Sequence, residues 1–84
     1  MVKVLTDPKE LPESARPLGL PFYVDADAFD DYESILPDKA VKQAGTMGAD
    51  LVVLGEVGTY YNEWFFMPAQ AYRLHMPNDD EKKP

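Results

Sequence analysis

The sequence predicts an α+β domain, a single mostly antiparallel sheet of about four strands with one helix packed on one face. Three features carry that expectation. Leu18, Leu20, Phe22 and Val24 alternate with Gly19, Pro21 and Tyr23, the period of a strand with one apolar face. Leu36, Ala40, Ala44 and Met47, with Val41 beside them, recur at steps of three and four, the period of an amphipathic helix. Leu51 to Leu54 is a continuous apolar run directly after Gly48, which suits a central strand covered on both faces.

Taken in order, Val2 to Thr6 reads as a first strand that enters a turn at Asp7-Pro8. Pro8, Pro12 and Pro17 then mark an extended loop. The second strand follows at Leu18 to Val24, and Pro21, which has no N–H for a ladder, places it at a sheet edge or beside a bulge. Ser34 reads as the N-cap of the helix, so that Pro37 falls in the first turn, where its missing N–H has no intrahelical partner. Gly48 is placed to take the left-handed conformation that ends a helix. After the Leu51–Leu54 strand, Gly55 to Gly58 breaks or twists the chain. Tyr60 to Met67 and Ala69 to Met76, separated by Pro68, read as the two arms of a final hairpin that pairs with the central strand.

With 84 residues the chain is one domain, expected over residues 1–76, and 77–84 reads as a disordered tail without an apolar anchor. A hydrophobic fraction of 45% excludes a disordered chain, and no apolar run is long enough for a membrane-spanning helix. Eight Lys and Arg against 15 Asp and Glu give a net charge of −7, which repels nucleic-acid phosphates and argues against direct binding to DNA or RNA. There is no cysteine, hence no thiolate zinc site and no thiol nucleophile. Met1 to Leu5 lacks the apolar core of a secretory signal, so the chain as written reads as cytoplasmic; a lipid anchor or leader upstream would place it in the cell envelope.

The run Ala44-Gly45-Thr46-Met47-Gly48-Ala49-Asp50-Leu51-Val52-Val53-Leu54 resembles a signature of small bacterial domains related to the Rcs-type envelope-stress lipoproteins and the YbjQ-like proteins. Leu18-Gly19, Tyr32-Glu33 ahead of the helix, and Ala71-Tyr72-Arg73-Leu74 occur in similar order, so the resemblance extends from Val2 to about Met76. It implies an α+β fold and a role in protein contacts or ring-forming assembly, linked through the lipoprotein relatives to envelope stress. The residues of the signature are structural: a small residue where helix meets sheet, a positive-φ glycine, and an Asp that bonds nearby backbone N–H groups.

No constellation identifies a reaction, and neither a catalytic residue, a metal ligand set nor a cofactor is expected. Asp25, Asp27, Asp30, Asp31 and Glu33 form an acidic loop, but Phe29, Asp30 and Leu36 occupy the fifth, sixth and twelfth positions where an EF-hand needs an oxygen ligand, Gly and Glu. His75 is the single histidine and has no N or S partner for a transition metal. Ser14 and Ser34 lie in a loop and at a cap, outside any nucleophile elbow. Glu56 in the middle of Gly55-Glu56-Val57-Gly58 would oppose phosphates in a GXXG clamp.

The aromatic block is the feature that points to function. Tyr60, Tyr61, Trp64, Phe65 and Phe66 lie within one short segment, and a single helix covers only one face of a sheet. Alternation assigns Trp64 and Phe66 to one face and Phe65 to the other. The expectation is a non-enzymatic interaction or oligomerisation domain, with these five aromatics binding another copy or another protein. An acidic inhibitor or nucleic-acid mimic acting through Asp25 to Asp38 on a basic protein, and a small-ligand or metal sensor, are the alternatives.

Overall fold

The computed structural model describes residues 1–74. Its elements are β1 (Lys3–Leu5), a 3-10 turn (Pro8–Glu10), β2 (Ala15–Pro17), β3 (Phe22–Asp27), α1 (Tyr32–Thr46), β4 (Leu51–Leu54), β5 (Gly58–Tyr60) and β6 (Trp64–Leu74). The class is α+β as the sequence predicts, but among the described residues the sheet has six strands rather than four.

The long β6 organises the sheet. Its C-terminal half is flanked by β4 (Val52 opposite Ala71) and β2 (Arg16 opposite Arg73), its N-terminal half by β5 (Thr59 opposite Phe65) and β3 (Val24 opposite Met67). All four pairings are antiparallel, and β1 closes the far side parallel to β4.

This corrects the expected final hairpin at its centre: residues on both sides of Pro68 belong to one strand. The Pro68 carbonyl accepts from the Gly55 N–H at 2.8 Å, and in a strand the N–H and C=O of one residue point the same way. The missing donor of Pro68 therefore faces the gap between β4 and β5, where no ladder bond is required. The true hairpin joins β5 to β6, and Gly55 to Val57 is the step between two strands that share one edge of β6.

Other boundaries move for local reasons. The proline-marked loop contains the short 3-10 turn, capped by the Asp7 carboxylate on the Lys9 N–H (2.9 Å), and the strand β2. The second strand begins at Phe22, beyond Pro21, and runs through Asp25 and Asp27, so half of the presumed acidic loop is strand; Leu20 is exposed outside it. The helix starts at Tyr32, with Asp31 flanking it through backbone bonds and Ser34 inside its first turn. Pro37 consequently lies in the helix interior, where it has no N–H to give the Glu33 carbonyl.

The helix stop is as expected. Gly48 has φ +81°, its N–H meets the Gly45 carbonyl at 3.1 Å and the Ala49 N–H meets the Ala44 carbonyl at 3.0 Å, the paired bonds of a Schellman motif. The chain then passes directly into β4, with Asp50 N–H on the Tyr72 carbonyl (2.9 Å) and the Asp50 carboxylate on the Leu74 N–H (2.8 Å).

Leu36, Ala40 and Ala44 of α1 bury completely against Val52, Ala71, Ala69, Met67 and Ala26. Alanines on both surfaces let the helix approach the sheet closely, and the large side chains Leu36 and Val52 fill the remaining volume. Burying a side chain such as Leu36 contributes about 1.5–3 kcal/mol.

The other face of the sheet is covered at one end only. Leu5, Leu51 and Val53 are buried there, and Pro8, Pro21, Pro68 and Tyr72 line a hollow of about 220 Å³ beside Val53. Gln70 holds the approach to β3 over this face, its Nε2 donating to the Gly19 carbonyl at 3.3 Å. At the β5–β6 end nothing comparable among the described residues lies over the sheet.

Candidate partner-binding surface

The exposed end of the sheet is built by the register of β5, β6 and β3. Met67, Ala69 and Phe65 of β6 face α1, so the alternate residues Trp64, Phe66 and Pro68 face away from it. Cross-strand pairing then sets three rows on that face: Tyr60, Trp64 and Asp27; Gly58, Phe66 and Asp25; and Pro68 with Tyr23. Tyr23, Tyr60 and Trp64 are 69%, 60% and 45% exposed. The Phe66 ring is half-buried and meets Tyr23 edge-on, with centroids 5.9 Å apart. Gly58 makes room for it: a Cβ at that position would stand 2.5 Å from Phe66 Cζ.

The five aromatics expected to act together separate into two groups. Phe65 turns to the helix side and stacks on Tyr32, as alternation predicts, and is half-buried. Tyr60, Trp64 and Phe66 share the open face, and Tyr61 stands at the hairpin tip against Tyr60, ring centroids 4.4 Å apart. Tyr23 completes the surface and was not singled out by sequence; its signal was its position opposite the apolar set of its own strand.

The hairpin tip carries a second observation. Tyr61 and Asn62 have φ of +53° and +56°, and the Glu63 N–H returns to the Tyr60 carbonyl at 3.1 Å, the form of a type I′ turn. Asn or Gly takes such a position with little strain, whereas a bulky ring at positive φ is unfavourable. Tyr61 is nevertheless 78% exposed, so the ring is held at the tip without being used for packing into the core.

The acidic residues do not gather into one site. Asp25 and Asp27 lie on β3, Asp27 turning its carboxylate back to the Phe29 N–H (2.9 Å), while Asp31 precedes α1 and Glu33 lies in its first turn. Among the described residues no three His, Cys, Asp or Glu side chains form a group able to hold a metal ion. His75 and the tail 77–84 lie outside the described residues. No described helix is long and apolar enough to cross a membrane.

Comparison with protein-family models, with curated proteins and with solved structures gave no match.

Proposed function

We propose that this domain is a non-enzymatic protein-binding module whose docking surface is the helix-free face formed by β5, β6 and β3. The observation that carries the reading is the contiguous set Tyr23, Tyr60, Trp64 and Phe66, exposed or half-buried at one end of a face on which Leu5, Leu51 and Val53 are buried at the other. Rings of this kind bury large areas with few rotors lost, which is why they are enriched in interfaces. The positive φ of Tyr61 supports it, because strain retained at an exposed ring is a mark of function.

The test uses the single tryptophan as its reporter. Docking of a partner polypeptide, or of a second copy, on this face shifts the Trp64 emission to shorter wavelength, and Tyr60→Ser with Tyr23→Ser abolishes the shift while the fold is retained by circular dichroism. A chain that stays monomeric by sedimentation up to millimolar concentration removes self-association. A partner that binds with unchanged Trp64 emission and unchanged affinity for the Ser variant removes the surface.

A further inference from the structure

The edge of β3 has the features of a site for an added strand. Among the described residues the strand is paired on one side only, to β6. Because Pro68 turns its carbonyl to Gly55, its cross-strand neighbour Tyr23 is a non-hydrogen-bonded pair, and Tyr23, Asp25 and Asp27 direct their N–H and C=O groups outward. The Asp27 carbonyl is taken by the Asp30 N–H at 3.1 Å. The Asp25 carbonyl is taken by Lys39 Nζ, which also lies 3.7 Å from the Asp25 carboxylate. Lys39 thus folds over the edge as a latch, and both side chains are about half exposed or more, so that ion pair is weak and readily exchanged.

Two hollows of about 460 Å³ each flank this edge. One lies between the strand and α1, where Lys39, Lys42, Gln43 and Thr46 of the helix face Val24 and Asp25 of the strand. The other lies on the helix-free face against Tyr23 and Phe66, with Asp25 between them at its rim. An added strand alternates its side chains between the two faces, so it needs a hollow on each side of the edge it joins. Both are here.

We infer that β3 accepts an extended segment of a partner protein as a further strand, with acidic side chains directed to Lys39 and Lys42 and apolar or aromatic side chains directed to Tyr23 and Phe66. Charge complementarity selects this occupant: the wall that α1 contributes carries two lysines in a chain of net charge −7, and while Lys39 is shared with Asp25 of the same hollow, Lys42 has no ion pair among the described residues. The inference rests on reading the domain as a protein-binding module and specifies the conformation and chemistry of what it binds.

The experiment titrates the full chain with a six-residue peptide in which glutamate alternates with phenylalanine or leucine, following amide exchange by NMR and Trp64 emission together. The expected result is slowed exchange at the Tyr23, Asp25 and Asp27 amides. Methylating alternate peptide nitrogens on the edge-facing side weakens binding by about tenfold or more, since each removes a backbone hydrogen bond. Lys42→Gln, which leaves the Lys39 latch in place, weakens it by a similar factor, about tenfold, and the peptide with lysine in place of glutamate does not bind. Equal affinity for the methylated peptide, or for the lysine peptide, overturns the inference, as does protection of the edge that rises with protein concentration in the absence of peptide, which would make a second copy the occupant. A partner that shifts Trp64 emission without protecting the β3 amides overturns the strand addition and leaves the docking face standing. Protection of those amides with a silent Trp64 does the reverse.

Discussion

Tyr32 and Phe65 lie face to face, ring centroids 3.8 Å apart and planes 12° from parallel. The contact joins the first residue of α1 to the N-terminal half of β6, beside the buried Ala26 that pairs across the strands with Phe65. Offset or stacked aromatic pairs contribute about 0.5–1.5 kcal/mol beyond their buried area. In a double-substitution cycle of Tyr32→Ala and Phe65→Ala, followed by urea unfolding, we expect a coupling of about 1 kcal/mol. Trp64→Ala, one residue away on the open face, changes stability by less than about half of the Phe65→Ala effect, because its ring covers no core. Equal costs for the two substitutions would show that both faces of the hairpin are equally packed.

Two glycines of one helix end are expected to respond in opposite directions. Gly45 lies within α1, and a Cβ there meets only Val2 Cγ2 at 3.9 Å, an ordinary contact, so Gly45→Ala raises stability by about 0.5–1 kcal/mol. Gly48 has φ +81°, and a Cβ there would lie 2.8 Å from Arg73 Nη2, the group that donates to the Gly48 carbonyl at 3.3 Å. Gly48→Ala therefore costs about 1 kcal/mol or more. In a domain of this size each kcal/mol moves the melting temperature by about 4–8 °C, so calorimetry separates the pair clearly.

The contrast between these glycines also shows what the sequence discloses. Gly48, the Ala44 and Ala40 stripe and the Leu51–Leu54 run are set by local rules, backbone sterics and hydrophobic period, and each is found where those rules place it. Pro68 and Pro37 were misread because their effect depends on which neighbour faces the missing N–H, and that is a property of the assembled sheet or helix. β2 has only Ala15, Arg16 and Pro17, no alternation to reveal it, and exists because the C-terminal end of β6 offers it a ladder. The split of the aromatic block was legible in the alternation of Trp64, Phe65 and Phe66. The contribution of Tyr23 was not, because it requires β3 and β6 to be neighbours.

Asp50 ties the start of β4 to the C-terminal end of β6, its N–H on the Tyr72 carbonyl and its carboxylate on the Leu74 N–H at 2.8 Å. Both partners are solvent-accessible, so the side-chain bond is worth about 0.5–1.5 kcal/mol rather than a buried ion's value. Asp50→Ala should accelerate hydrogen exchange at the Leu74 amide, with a stability loss of about 1 kcal/mol. Asp50→Asn keeps an acceptor at the same place and restores much of the protection. Identical exchange in the two variants would show that the carboxylate bond does not hold the end of β6.

The hairpin tip offers a test in which stability and binding move apart. Tyr61 and Asn62 occupy the two central positions of a type I′ turn, with φ of +53° and +56°. Asn followed by Gly is the favoured pair in that geometry, so Tyr61→Asn with Asn62→Gly relieves strain and should stabilise the domain by about 1 kcal/mol. The same change removes a ring that stands 4.4 Å from Tyr60 at the border of the proposed docking face. We expect the doubly substituted chain to melt higher and to bind a partner that engages Trp64 several-fold more weakly, by about the 1 kcal/mol that an aromatic contact supplies. A gain in stability with undiminished affinity would place the binding surface away from the tip and return Tyr61 to the status of an ordinary turn residue.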